Sequence, residues 1–262
     1  MIKKMLIIIK IGGCLITDKS SSEPNVDYKN LSRIAREVSR AYKELGYSMI
    51  IIHGAGSYGH PIVKRTGIDE GIKNDRQLID FAETQRLQNE LNGIVCKSLI
   101  NESLPAFPLQ ASASSVMSNK RLIRMNLEVI KGLIKLKMIP VLYGVPAFDL
   151  KIGCSILSGD QLMTYLGKEF KADKLIFATD VNGVYTADPK KDIKAEFINR
   201  ITKESLSKIT LTKGVNTDVT GGMFGKITGL IGFNAQIING LIEDNIYKAL
   251  KGAEIGTSID LK

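Results

Sequence analysis

Lysines and glycine pairs occur together at two points of this 262-residue chain. Lys10 precedes Gly12–Gly13, and Lys226 follows Gly221–Gly222, with Lys19 close behind the first pair. Adjacent glycines let a backbone approach a ligand and turn N–H groups toward phosphate oxygens. A lysine supplies a compact positive charge at the same place. Taken singly, either stretch also reads as a tight turn or a helix start with solvated lysines; occurring twice in one chain, the combination favours phosphate. The two histidines of the chain, His53 and His60, bracket a third glycine-rich stretch, HGAGSYGH. A fourth bend, Ser158-Gly159-Asp160, places a carboxylate in the first turn of a helix, where ordinary capping would also put one.

Two familiar patterns are close and fail. Gly54-Ala55-Gly56-Ser57-Tyr58-Gly59 fits the G-x-G-x-x-G dinucleotide fingerprint. That fingerprint normally follows the first strand of its unit, whereas this loop follows the second. The acidic residues at the right distance, near Asp75, precede a helix and do not end a strand. A glycine loop that opens onto a helix N-terminus still suits an anion. Thr217–Lys226 approaches a Walker A loop, but Thr220 replaces its first glycine and Ile227 replaces the hydroxyl residue that would hold magnesium.

The elements that must carry these bends follow from apolar runs and periodicity. Strands are expected at Met5–Ile11, Ser48–Ile52, Pro105–Leu109, Met138–Leu142, Lys174–Thr179 and Ala235–Ile238. Helices are expected over Tyr28–Leu45, capped by Asp27 and closed by Gly46, over Asp75–Glu102, Asn126–Lys137, Gly159–Phe170 and Gly221–Asn234. Strands alternating with helices predict an α/β fold with a largely parallel, buried sheet. A lobe boundary is expected near Lys171. Lys10 ends the first strand, where open α/β sheets place their ligands.

Hydrophobic residues make up 44% of the chain and charged residues 24%, with a net charge of +9. The basic residues are interleaved with acids and form no tract, so an anionic small substrate or a solvated surface explains the charge without nucleic acid. Met5–Ile9 is too short to span a bilayer, and no cleavage pattern follows it. Cys14, Cys96 and Cys154 are odd in number and far apart, which fits reduced thiols. A soluble, cytoplasmic protein without membrane partners is expected.

Taken in order, K-I-G-G-C with I-T-D-K, H-G-A-G-S-Y-G-H-P, S-G-D-Q, A-T-D-V-N-G-V-Y with D-P-K, and T-D-V-T-G-G-M-F-G-K resemble the amino acid kinase superfamily. Within it they are similar to the isopentenyl phosphate kinases, from about Met5 to Ile259. The final histidine of the second motif sets that family apart from most relatives. The resemblance implies a three-layer α/β/α sandwich, an acceptor lobe over residues 1–170, a nucleotide lobe over residues 171–262 and a homodimer. It implies ATP and Mg²⁺ as cofactors and isopentenyl phosphate as the small-molecule substrate, in archaeal-type mevalonate isoprenoid synthesis. By position, Lys10, Gly12, Gly13 and the backbone of Cys14 would meet ATP phosphates, assisted by Lys19. Ala55, Gly56, Gly59, His60 and Gly159 would hold the acceptor phosphate, with Gly56 also on the ATP side. Asp160 would organise the lysines. Asp180, Tyr185 and Lys190 would line the nucleoside site, and Gly222 and Lys226 would reach the ATP phosphates. Two departures stand out: Cys14 replaces the usual serine, and Asn182 stands where many relatives have aspartate. His60 is expected to grip the substrate and His53 to serve a structural hydrogen bond. A fosfomycin-type or other small-molecule kinase of the superfamily is the nearest alternative. A non-catalytic nucleotide-binding protein is a more distant one.

Overall fold

The computed structural model describes residues 5–18, 23–187, 192–206 and 227–262. Its strands are β1 (Leu6–Ile11), β2 (Ser48–His53), β3 (Ala106–Pro108), β4 (Ser115–Ser118), β5 (Arg121–Met125), β6 (Ile139–Tyr143) and β7 (Val145–Asp149). There follow β8 (Gly153–Leu157), β9 (Lys174–Thr179), β10 (Val184–Tyr185), β11 (Phe197–Ile198), β12 (Arg200–Thr202), β13 (Asn234–Asn239) and β14 (Thr257–Asp260). The helices are α1 (Gly13–Ile16), α2 (Tyr28–Leu45), α3 (His60–Thr66), α4 (Asp75–Asn101), α5 (Ala111–Ser114), α6 (Glu128–Lys135) and α7 (Gly159–Glu169), with a further helix at Asn245–Leu250.

Eight strands form one sheet in the order β12-β14-β13-β9-β1-β2-β6-β3. Its pairings are parallel except for β13 with β14. The continuous apolar runs of β1 and β2 follow from burial on both faces. Ile7, Ile9, Ile11, Met49 and Ile51 share a core with α2, α4 and Asn245–Leu250. Their neighbours Leu6, Ile8, Ile50 and Ile52 share the opposite core with α6 and α7. The alternation is the period of two of a strand, and it makes the α/β/α sandwich expected from the sequence. The sheet continues across Lys171, since β9 pairs with both β1 and β13.

The capping signals act as read. Asp27 accepts from the Asn30 N–H at 2.9 Å, and Gly46 closes α2 at φ 61°. One expectation fails. The helix placed over Gly221–Asn234 does not run to its end: among the described residues only 227–228 are helical, a turn follows, and β13 begins at Asn234. Gly232 takes φ 92° and donates its N–H to Leu261 O at 2.7 Å, which reverses the chain into the sheet. The first part of that expectation lies outside the described residues. The sequence also gave no signal for a second sheet, β5-β4-β7-β8, which caps one side of the crevice above β2 and β6.

Candidate functional site

From β1 the chain crosses to β2 on one side, while β9 lies on the other. Open sheets bind ligands at such a reversal, beyond the C-terminal ends of the strands. Two cavities occupy this edge. One, of about 480 Å³, is lined by Lys10, Gly12, Gly13, Cys14, Gly54, Gly56, Ser57, His60, Pro61, Thr179 and Asp180. The other, of about 530 Å³, involves Lys10, Gly54, Ala55, Gly59, His60, Val145, Pro146, Ile156, Gly159 and Asp160 among others. Lys10, Gly54 and His60 belong to both.

The bends after β1 and β2 are packed backbone on backbone. A Cβ on Gly13 would come within 2.7 Å of Gly56 Cα and overlap its nitrogen, and one on Gly54 would come within 2.5 Å of Gly13 N. Thr17 ties the bends together: its hydroxyl donates to Gly13 O at 2.8 Å and accepts from the Ser57 N–H at 3.0 Å. Gly56 takes φ 51°, with Thr17 occupying the space of a side chain. These contacts are why the loops hold glycines at positions 13, 54 and 56.

Lys10 leaves the end of β1 and meets Asp160, Nζ to Oδ1, at 2.6 Å. Its side chain lies over Gly159, whose missing Cβ would stand 3.0 Å from Lys10 Cε. The helix cap here is Ser158, which accepts from the Gln161 N–H at 3.1 Å. Asp160 is therefore not needed as the cap and serves the lysine. The pair is partly exposed, at 17% for the Lys10 side chain and 36% for that of Asp160, so it orients the ammonium more than it stabilises the fold.

The two histidines are in opposite surroundings. His53 is fully buried and stacked on Tyr143, with ring centres 5.4 Å apart. Burial lowers its pKa, against the opposing effect of its two hydrogen bonds. The neutral ring donates from Nδ1 to Gly54 O at 3.0 Å, and Nε2 stands 3.2 Å from the Asn92 carboxamide. The Gly54–Ala55 peptide is trans, so fixing the carbonyl on His53 directs the Ala55 N–H away from the ring. That N–H has no acceptor among the described residues, and Ala55 lines the larger cavity. His60, by contrast, opens α3 at the surface, between the two cavities.

The remaining expected residues divide. Asp180 accepts from the Thr179 hydroxyl at 3.2 Å and borders the smaller cavity. Tyr185 packs edge-on against Phe197, 5.5 Å between centres, and lines neither cavity. Lys19, Lys190, Gly222 and Lys226 lie outside the described residues. Ile156 lines the larger cavity, whereas the apolar α4 residues Phe81 and Leu87 do not. Sequence reasoning missed Lys120, Gln88 and the β7 edge, Val145–Pro146, which also line it. Asp149 was missed too. It is buried, accepts from the N–H groups of Asn119, Lys120 and Lys151 and from the Ser155 hydroxyl, and pins the β4–β5 turn beside the cavity. Burial pushes its pKa up, but these donors outweigh it and bring the carboxyl down to about 2.

The model of the amino acid kinase family matches residues 5–236. The chain belongs to the amino acid kinase family. Among relatives of this family, the isopentenyl phosphate kinase of Methanothermobacter thermautotrophicus is 39% identical, over 97% of this chain and 98% of that one. That of Methanocaldococcus jannaschii is 36% identical over 98% and 99%. A solved isopentenyl phosphate kinase superposes with a TM-score of 0.85 at 34% identity, covering 97% of this chain and 99% of the other. The amino acid kinase sandwich expected from the sequence is thus the fold observed. Among its described residues no helix is long and apolar enough to cross a membrane.

Proposed function

We propose that this chain is an ATP-dependent kinase that phosphorylates isopentenyl phosphate to isopentenyl diphosphate, in mevalonate-type isoprenoid synthesis. The observation that carries the reading is the pair of cavities joined at Lys10 and His60, in a chain 39% identical to an isopentenyl phosphate kinase. The smaller cavity is walled by glycine backbone and suits the phosphates of ATP. The larger has an anion end, at Ala55, Gly59, His60 and Gly159, and an apolar end, at Val63, Val145, Pro146 and Ile156. A monophosphate on a five-carbon apolar tail matches both ends.

The nucleophile is a non-bridging oxygen of the acceptor phosphate. With a second pKa of about 6 it is mostly ionised at neutral pH, so no general base is required. It attacks the γ-phosphorus, a new P–O–P bond forms, the bond to the β-phosphate oxygen breaks and ADP leaves. Such transfer depends on positioning and charge stabilisation. Lys10, held by Asp160 at the junction, faces the phosphoryl group in transit. His60 grips the acceptor phosphate, and the Ala55 N–H, oriented through His53, adds a neutral donor. Gly12, Gly13, Gly56 and the Cys14 backbone receive the ATP phosphates, Asp180, Tyr185 and Lys190 serve the nucleoside, and Lys19, Gly222 and Lys226 complete the donor side. Mg²⁺ commonly takes one or two carboxylates with substrate phosphates supplying other ligands. Asp180, on the smaller cavity, is a carboxylate that would hold it beside the ATP phosphates, and it would neutralise phosphate charge. The division into an acceptor lobe, 1–170, and a nucleotide lobe, 171–262, and a cytoplasmic homodimer belong to the same proposal.

The test is ATP consumption over a panel of acceptors: isopentenyl phosphate, dimethylallyl phosphate, fosfomycin, uridylate and acetylglutamate. Turnover of the prenyl monophosphates is expected. Turnover of another acceptor with none of these two overturns the reading.

A further inference from the structure

Helix α4 turns polar residues toward the protein interior at every fourth position: Asp80, Thr84, Gln88 and Asn92 are all buried. A four-residue spacing puts them on one face. Three of them have partners. Asp80 lies 3.5 Å from Arg76, the Thr84 hydroxyl donates to Asp80 O at 2.7 Å, and Asn92 meets His53. Gln88 is only 1% exposed, yet its Oε1 has no hydrogen-bond partner, and no hydrogen bond among the described residues involves its Nε2. Oε1 is the buried end, and its missing partner costs stability; Nε2 is the end left open to the cavity, where an occupant's oxygen can accept from it.

Its position says where that occupant sits. Gln88 lines the larger cavity together with Gly59 and His60. Its carboxamide fills the space that a Cβ on Gly59 would need, with Nε2 overlapping that position and Cδ 3.2 Å from it. The amide thus stands against the loop that carries the anion end of the cavity. A helical glutamine aimed at an apolar tail would be a liability there; one aimed at a phosphate oxygen is a donor.

We propose that Gln88 is an acceptor-binding residue whose carboxamide N–H donates to the acceptor phosphate beside His60. This rests on the reading that the larger cavity takes a phosphate-bearing acceptor. Being uncharged, the amide adds a donor at any pH and does not repel the dianion.

The test compares wild type with Gln88→Leu, Gln88→Met and Gln88→Glu in steady-state kinetics and thermal melting. Leucine and methionine keep the volume and remove the unpaired amide. Both should raise the melting temperature, by about 2–4 °C. Both should also raise KM for isopentenyl phosphate about tenfold or more, with KM for ATP unchanged. Gln88→Glu should weaken the acceptor further, since a carboxylate would face the phosphate. A merely space-filling Gln88 would give more stable variants whose acceptor KM stays within twofold, and that result overturns the proposal; methionine decides it should the leucine variant not fold. Wild-type turnover of isopentenyl phosphate tests the function separately. If another phosphorylated or phosphonate acceptor turns over in its place, the KM comparison is made on that acceptor. If none does, calorimetric binding of inorganic phosphate is compared, and equal affinity in wild type and variants overturns the assignment.

Discussion

The two cavities above the sheet are built from different materials. The smaller is set on glycine backbone, with Gly13, Gly54 and Gly56 pressed against one another and Gly12 beside them, and its side chains are mostly small or polar. The larger is mostly side chains, drawn from α3, α4, α7 and the second sheet. A backbone cradle recognises what every phosphate shares. A side-chain cavity recognises what is particular to one acceptor. In a family whose members differ in their acceptors, variation is expected in the second and not the first. Lys10 and His60 border both, so the difference can be probed from either side.

The largest effect should come from the backbone side. Gly13→Ala sets a methyl group into the Gly56 backbone, which no rotamer can relieve. It should abolish activity and lower the melting temperature, because the same contact holds both loops; retention of either acceptor or ATP binding would show that the cavities are less coupled than their packing implies. Next is the shared lysine. Lys10→Ala removes a strong donor from the transferring phosphoryl group and should cut kcat about 10²- to 10³-fold. Equal loss confined to acceptor KM would place Lys10 on one side only.

The histidines sharpen the comparison. His60→Ala should lose most activity and raise KM for the acceptor more than for ATP. His53→Ala should keep a substantial part of kcat but lose stability, with a modest rise in acceptor KM as the Ala55 N–H loses its orientation. The pH dependence separates them further. The folded-state pKa of His53 lies below its usual value of about 6.5, so the unfolded chain takes up the proton more readily. Its contribution to stability is present above about pH 6.5 and is lost as pH falls below that. The melting temperature should drop between pH 7 and 5 in wild type, and the drop should be smaller in His53→Gln. The smallest effect is expected at Cys14→Ser, on the backbone side, where the peptide N–H and not the side chain matters: kcat and both KM values should change less than about threefold.

Much of the smaller cavity was legible in the sequence, because Lys10 with Gly12–Gly13 and the HGAGSYGH stretch each follow an apolar strand, and together they line it. Ranges such as Tyr28–Leu45 and Lys174–Thr179 coincide with the elements found, since apolar periodicity and caps agree there. The larger cavity was legible only in part, at Ala55, Gly59, His60, Gly159 and Asp160. Its second sheet is made of short strands, one containing Pro146, paired by long-range contacts that leave no local pattern. On α4 the apolar Leu87 packs in the core, while the neighbouring Gln88 lines the cavity, which no apolar pattern signals. The glycines of 221–234 read as a helix start, and among the described residues Gly232, at positive φ, shows where the chain reverses.

The most direct measurement is phosphorus NMR of the purified protein with ATP, Mg²⁺ and isopentenyl phosphate. The expected spectrum shows the monoester signal replaced by the paired signals of a diphosphate ester as ATP gives way to ADP, at a rate that collapses in His60→Ala and survives in His53→Ala. ADP and inorganic phosphate with the monoester untouched, or no change in any signal, would contradict a phosphoryl transfer between the two cavities.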